Sequence, residues 1–156
     1  MTNKHHFPTL LSLLLLVASP ASGEPFNGQL VVYVADAEVM EASSEPEHVL
    51  LLAKLKGLAI LDSGEVGTIT GVEVAVNKKE TGEFYGYVTI LFDDKSSNSF
   101  RFEGHQNNAT QQYQAQLRFT TGTGRFSGIS GGGKLQGRNY EAIDGSHAVF
   151  TANFDR

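Results

Sequence analysis

From Gly28 onward the chain alternates apolar and polar residues with a period of two, and turn-forming residues bound each run. Successive side chains of a strand point to opposite faces, so this pattern predicts half-buried β-strands. Residues 30–40 open the series with a Val-rich run. In residues 66–77, Val66, Thr68, Thr70, Val72, Val74 and Val76 share one face, which puts Glu73 on the other and predicts it to be exposed. Residues 84–92 set Phe84, Val88, Ile90 and Phe92 against Tyr85, Tyr87, Thr89 and Leu91. A short strand carrying Phe100 and Phe102 follows. Tyr113, Ala115, Leu117 and Phe119 then alternate with Gln114, Gln116 and Arg118, and Ala148, Phe150, Ala152 and Phe154 alternate near the C-terminus. Residues 133–142 form a further strand. Residues 48–61 read as a strand pair or as one strand bent at Gly57. A short helix is the alternative, because Leu51, Leu52 and Leu55 share a helical face; Gly57 and the following Leu-Ala-Ile-Leu favour the sheet.

This makes about eight strands joined by short turns. An even number of antiparallel strands in one small domain closes most economically into a barrel, which leaves no exposed edge; a two-sheet sandwich is the rival. The fold class expected is therefore all-β, a single eight-stranded antiparallel β-barrel. No internal repeat or long linker divides it.

The first residues are set apart from this pattern. Lys4 gives a weakly basic start, residues 10–18 are almost wholly apolar, and Ser19-Pro-Ala-Ser-Gly23 supplies small residues. A basic start, a short apolar core and a small-residue exit describe a secretory signal, cleaved after Gly23 or Ala21. The apolar core is too short for a helix across a bilayer of roughly 30 Å. The expected organisation is a signal peptide over 1–23 and a barrel domain over 24–156, secreted or periplasmic, with no stable membrane span. Loss of Lys4 with the leader takes the formal net charge from −5 to −6. That acidic balance, with no basic stripe, excludes nucleic acid as a partner. Cysteine is absent, which excludes thiol catalysis and thiolate-bound metals. Asn108-Ala-Thr110 is a sequon that carries a glycan only in a eukaryotic host.

Before the last strands stands Thr121-Gly-Thr-Gly-Arg-Phe-Ser-Gly-Ile-Ser-Gly-Gly-Gly-Lys-Leu135, with six glycines. Glycine tolerates positive φ, so the run marks sharp turns and close backbone approach. It leads into no helix and lacks the Gly-Lys-Ser/Thr ending of a phosphate loop, so it reads as a hairpin. This stretch resembles the allene oxide cyclase and dirigent barrels, whose hallmark at this point is Gly-Gly-(Thr or Ala)-Gly-x-Phe-x-x-Ala-x-Gly; Thr121 stands in place of the first Gly. Ala53-Lys-Leu-Lys-Gly57 looks like the Gly-Arg-Ala-Gln-Gly region of dirigent proteins, and Phe84-Tyr-Gly-Tyr-Val-Thr-Ile90 resembles one of their strands. The resemblance implies an eight-stranded barrel with a ligand-sized apolar interior, assembled as a homo-oligomer (dimer or trimer). In allene oxide cyclases a Glu-x-Asn pair and a later Ser-Pro bind a water and orient an epoxide. Here Asp36-x-Glu38 and Ser44-Glu-Pro46 occupy those places with changed residues, so the resemblance does not carry the activity over.

If the first strand is regular, Asp36 and Glu38 share a face with Leu30, Val32 and Val34. Facing inward, they would meet near the barrel mouth, where desolvation and mutual repulsion suit an acid–base pair. Tyr85 and Tyr87 are candidates to line a cavity or to lie on the surface. His48, His105 and His147 are widely separated, with no metal-type spacing. Ser127 and Ser130 lack the spacing of a nucleophile elbow. Two readings follow. One is a secreted barrel that binds a small apolar ligand or a partner protein without catalysis. The other is a cofactor-free cyclase or dirigent-type catalyst with Asp36, Glu38 and Tyr87 as its polar residues. Neither calls for a cofactor or metal.

Overall fold

The structure, a computed structural model, describes residues 23–41, 48–140 and 145–155. Residues 1–22 of the expected leader and Ser44-Glu-Pro46 lie outside the described residues. Eight strands run β1 (Glu24–Glu41), β2 (Val49–Leu61), β3 (Val66–Asn77), β4 (Thr81–Phe92), β5 (Ser97–Asn107), β6 (Gln112–Thr123), β7 (Ser130–Tyr140) and β8 (Gly145–Asp155). Each pairs antiparallel with its sequence neighbours, and β8 pairs with β1, so the sheet is a closed barrel rather than a sandwich. The sheet is continuous around the barrel, and residues 34–41 of β1 extend past β8 and pair with β2 alone. Val49–Leu61 is one continuous strand, and the helical alternative for this segment does not occur.

An eight-stranded barrel is just wide enough for side chains to fill, so the size of inward residues decides where it is solid. At one end the inward residues are large. Phe26 sits among Phe119, Phe126, Phe150 and Phe154, with ring centroids 5.6, 5.9, 5.4 and 6.1 Å away. The connection from β6 to β7 closes this end through a single 3-10 turn, Gly124–Phe126, which drops Phe126 into the cluster. Gly124 enters the turn at φ +58, a left-handed conformation costly for other residues, and a Cβ there would stand 2.9 Å from Ser96 Cβ. Arg125 lies 4.8 Å over both Phe92 and Phe126, is ion-paired with Glu65 and reaches Asp94 at 3.6 Å. Asp94 in turn accepts hydrogen bonds from the Ser96 amide (2.9 Å) and hydroxyl (2.5 Å), which hold its carboxyl below the ordinary carboxylate range. The glycine run is thus a stopper for one end of the barrel. Beside it, Asn98 is fully buried with neither side-chain amide atom hydrogen-bonded among the described residues, and the structure offers no account of it.

At the other end small inward residues, Ala53, Ala75 and Gly86, stand between larger ones such as Leu55, Phe84 and Phe102, and a lumen opens there. Two expectations change here. The Val-bearing face of β3 is the outer wall, with Val66 and Val72 45% and 46% exposed. Glu73, expected in solvent, points inward, because its register partners are the buried Ala53 on β2 and the buried Gly86 on β4. Alternation placed Glu73 correctly opposite the valines; the more apolar face was the outer one.

Candidate binding site

The lumen at the unplugged end is a cavity of about 540 Å³. It reaches the barrel end where Asn77, Tyr140 and Gly145 lie at the tips of β3, β7 and β8. Its floor is Val88 and Phe100, and its walls include Val32, Leu51, Leu55, Phe84 and Phe102. A ligand pocket of this kind, apolar with a few polar groups, lies in the size range of known small-molecule sites. Among the described residues, no Lys, Arg or His lines it.

Glu73 is the ionisable group set deepest in this site. The small neighbours Ala53 and Gly86 leave room for its carboxyl to face the lumen. Burial pushes that carboxyl up to about 7, and nothing offsets the desolvation. Across the lumen, Tyr113 on β6 is raised to about 12, first by burial and further by the charge of Glu73, while a hydrogen bond with the Ser146 side chain works the other way. The Tyr113 ring meets Phe84 edge-on at 5.7 Å and 88°. It lies over Gly137, where a Cβ would come within 2.5 Å of the phenol. Any larger residue at position 137 displaces the ring from its place.

Toward the end of the lumen an amide network crosses three strands. Gln106 Nε2 donates to Asn77 Oδ1 at 2.9 Å and to Asn108 Oδ1 at 2.7 Å, and Asn139 Nδ2 donates to Gln106 Oε1 at 3.0 Å. The amide of Asn108, the sequon residue, donates in turn to the Lys78 carbonyl at 2.5 Å. These groups fix one another and give the cavity a polar collar.

The residues singled out from the sequence lie elsewhere. Strand β1 carries a β-bulge between Val34 and Asp36, so Val34 registers with Leu55 but Asp36 with Lys54. A bulge inserts one residue and reverses the alternation beyond it. The inward placement of Asp36 and Glu38 required a regular strand, and the bulge turns both outward. Asp36 contributes to the rim of the cavity, while its carboxylate takes a 2.8 Å ion pair with Lys54 in solvent. The hydrogen bond and charge of Lys54 hold it below the usual carboxylate range. Glu38 registers with the exposed Leu52, and its charge also acts on Lys54. Tyr87 is 51% exposed on the outer wall. The row Asp36, Lys54, Val72, Tyr87 runs across four strands, which separates Asp36 from Tyr87 by about 14 Å at three strand spacings. Tyr85 shares that outer wall, at 48% exposure. His147 meets Gln29 Oε1 at 3.0 Å near the surface, and no group of three metal-ligating side chains occurs among the described residues.

Glu73, Tyr113, Ser146 and Gln106, by contrast, do converge. The sequence offered one signal for Glu73, a lone acid opposite a valine run whose own-face neighbours Ile69 and Ala75 are apolar.

Fold and site together define a closed antiparallel barrel, plugged at one end and hollow at the other, with the Glu73 carboxyl set in the hollow. No protein-family model matches the sequence, and no curated protein matches it. Among solved structures, a protein of unknown function of the DUF3224 family from Shewanella oneidensis MR-1 is similar with a TM-score of 0.59 at 13% identity, over 86% of this chain and 98% of that one. A pterocarpan synthase dirigent protein is similar with a TM-score of 0.49 at 13% identity, over 97% of this chain and 95% of that one. The first likeness is one of fold.

Proposed function

We propose that the protein is an exported binding barrel that takes a small, largely apolar molecule into the lumen. The observation that carries this reading is the cavity of about 540 Å³, walled by apolar side chains with a few convergent polar groups. A protein with no need to hold a ligand would fill this space, because an empty apolar lumen forgoes the packing contacts that stabilise a core. A neutral fluorescent probe, N-phenyl-1-naphthylamine, tests it. Binding at a one-to-one ratio is expected, and Ala75→Leu, which puts extra carbons into the lumen, should weaken it about tenfold or more. Equal binding by the variant would place the probe elsewhere and count against the reading. Export rests on the leader-like residues 1–23, and N-terminal sequencing of the mature protein should begin at Glu24 or Ser22.

A second reading, a cofactor-free cyclase or dirigent-type catalyst, is supported by one observation: Glu73 holds its proton with a value near 7 inside the lumen. A group so poised can both give and take a proton at neutral pH. Turnover of any substrate would then change with pH near that value and be lost in Glu73→Gln.

A further inference from the structure

We propose that the lumen selects an apolar amine, its ammonium held by the Glu73 carboxylate and its body by the surrounding aromatic rings. The inference rests on the reading of the lumen as a ligand site and adds the chemical class of the ligand.

A carboxylate withdrawn from water needs a counter-charge or donors, and among the described residues no hydrogen bond or ion pair reaches that of Glu73. On the flanking strands the residues registered with Glu73 are Ala53 and Gly86, neither with a side-chain donor. The bulge has turned Asp36 and Glu38 onto the outer wall, where the regular alternation of β2 also places Lys54. From across the lumen the titratable group that faces Glu73 is Tyr113, whose phenol burial keeps neutral. The missing partner is a cation, and the space beside the carboxyl is large enough for one that arrives on a ligand.

The same lumen is suited to the rest of such a molecule. Phe84 stands edge-on to Tyr113 at 5.7 Å and tilted against Phe102 at 6.0 Å, so three rings cluster in the lumen that Glu73 faces. Aromatic faces attract a cation, more strongly when water is excluded. A fatty acid or other carboxylate meets the opposite situation, a like charge with no Lys, Arg or His among the described lining residues to offset it. A neutral alcohol can donate a single hydrogen bond to an ionised Glu73, but the ammonium adds a full charge–charge attraction. Its affinity should therefore climb as pH rises toward about 7 and level off above, since below that value the carboxyl must first lose its proton.

Calorimetric titration of the whole protein with 4-phenylbutylamine, 4-phenylbutan-1-ol and 4-phenylbutanoate, three probes of one shape, tests the inference. At neutral pH the amine should bind about tenfold or more tightly than the alcohol, with the carboxylate weakest. Glu73→Gln should abolish the amine's advantage over the alcohol and its pH dependence. An alcohol that matches or beats the amine in the native protein overturns the inference and leaves the binding reading standing. So does an amine preference that survives in Glu73→Gln. Binding of none of the three overturns both. The native three-probe comparison decides the matter even if the variant does not fold.

Discussion

Glu73 is held in the lumen at a cost the fold bears when the group is ionised. Its carboxyl rises from an ordinary 4.5 to about 7, so the folded chain binds this proton more tightly than the unfolded chain does. The stability linked to it is full below about pH 4.5 and is lost as pH rises through about 7, a total of about 3 kcal/mol. Glu73→Gln removes that slope. Urea unfolding of the two proteins across this range should give a difference that grows in favour of the variant as pH rises, and then stays constant above neutrality. Asp36 and Asp94, both held low by their partners, contribute in the opposite sense but equally to the two proteins, so the difference isolates Glu73. A difference that does not vary with pH would mean that Glu73 is solvated. At this scale the sequence was informative about phase and not about side. The period of two put Glu73 opposite Val72 and Val74, but outer-wall valines and inner-wall alanines and glycines reverse the usual contrast. For Asp36 and Glu38 the misleading element was Ala35: no Gly or Pro marks the bulge, so nothing local announces the reversal.

At the scale of the elements, the connection from β6 to β7 does more than turn the chain. Its 3-10 turn delivers Phe126 to three aromatic contacts, with Phe26, Phe92 and Phe154, and beneath the guanidinium of Arg125. Phe126→Ala should cost about 3–5 kcal/mol, the range for emptying a buried aromatic site. Gly124→Ala should cost about 1–3 kcal/mol, from its left-handed backbone and its approach to Ser96. Both losses are read as midpoint shifts in urea unfolding with an unchanged slope. Neither variant touches the lumen residues, so probe binding by the folded fraction should persist; its loss would show that plug and lumen are mechanically coupled. Six glycines in a short run are an unmistakable turn signal, and the turn was legible from them. That Phe126 would be a stopper was not, because which end of a barrel a loop closes depends on strand tilt and register across all eight strands, information no local window contains.

Over the whole molecule, closure and the uneven filling of the barrel set two different kinds of order. The backbone is hydrogen-bonded all round, from β1 through β8 and back. Side-chain packing, however, is dense only around the phenylalanine cluster, since the opposite half surrounds a cavity of about 540 Å³. Local opening follows packing density, so hydrogen exchange should run slowest in β1 near Phe26, in β4 near Phe92 and in β8 near Phe150. It should run faster, in the same strands or their neighbours, around Phe84, Gln106 and Asn139. Uniform protection along each strand would contradict this division. The closed barrel itself followed from the number and regularity of the alternating runs, which local patterns specify well. The division into solid and hollow halves was written in the sizes of inward residues, but it becomes readable only once each strand's inward phase is known.

The phenylalanine stopper also settles a question of traffic. A tube open at both ends can pass a molecule through and be emptied from behind by the next arrival. A cup cannot. Whatever enters this lumen leaves by the end it came in, so occupancy is governed by one escape rate, and two cargoes cannot exchange without the first departing. On the proposed reading, that is the behaviour of a container rather than of a conduit.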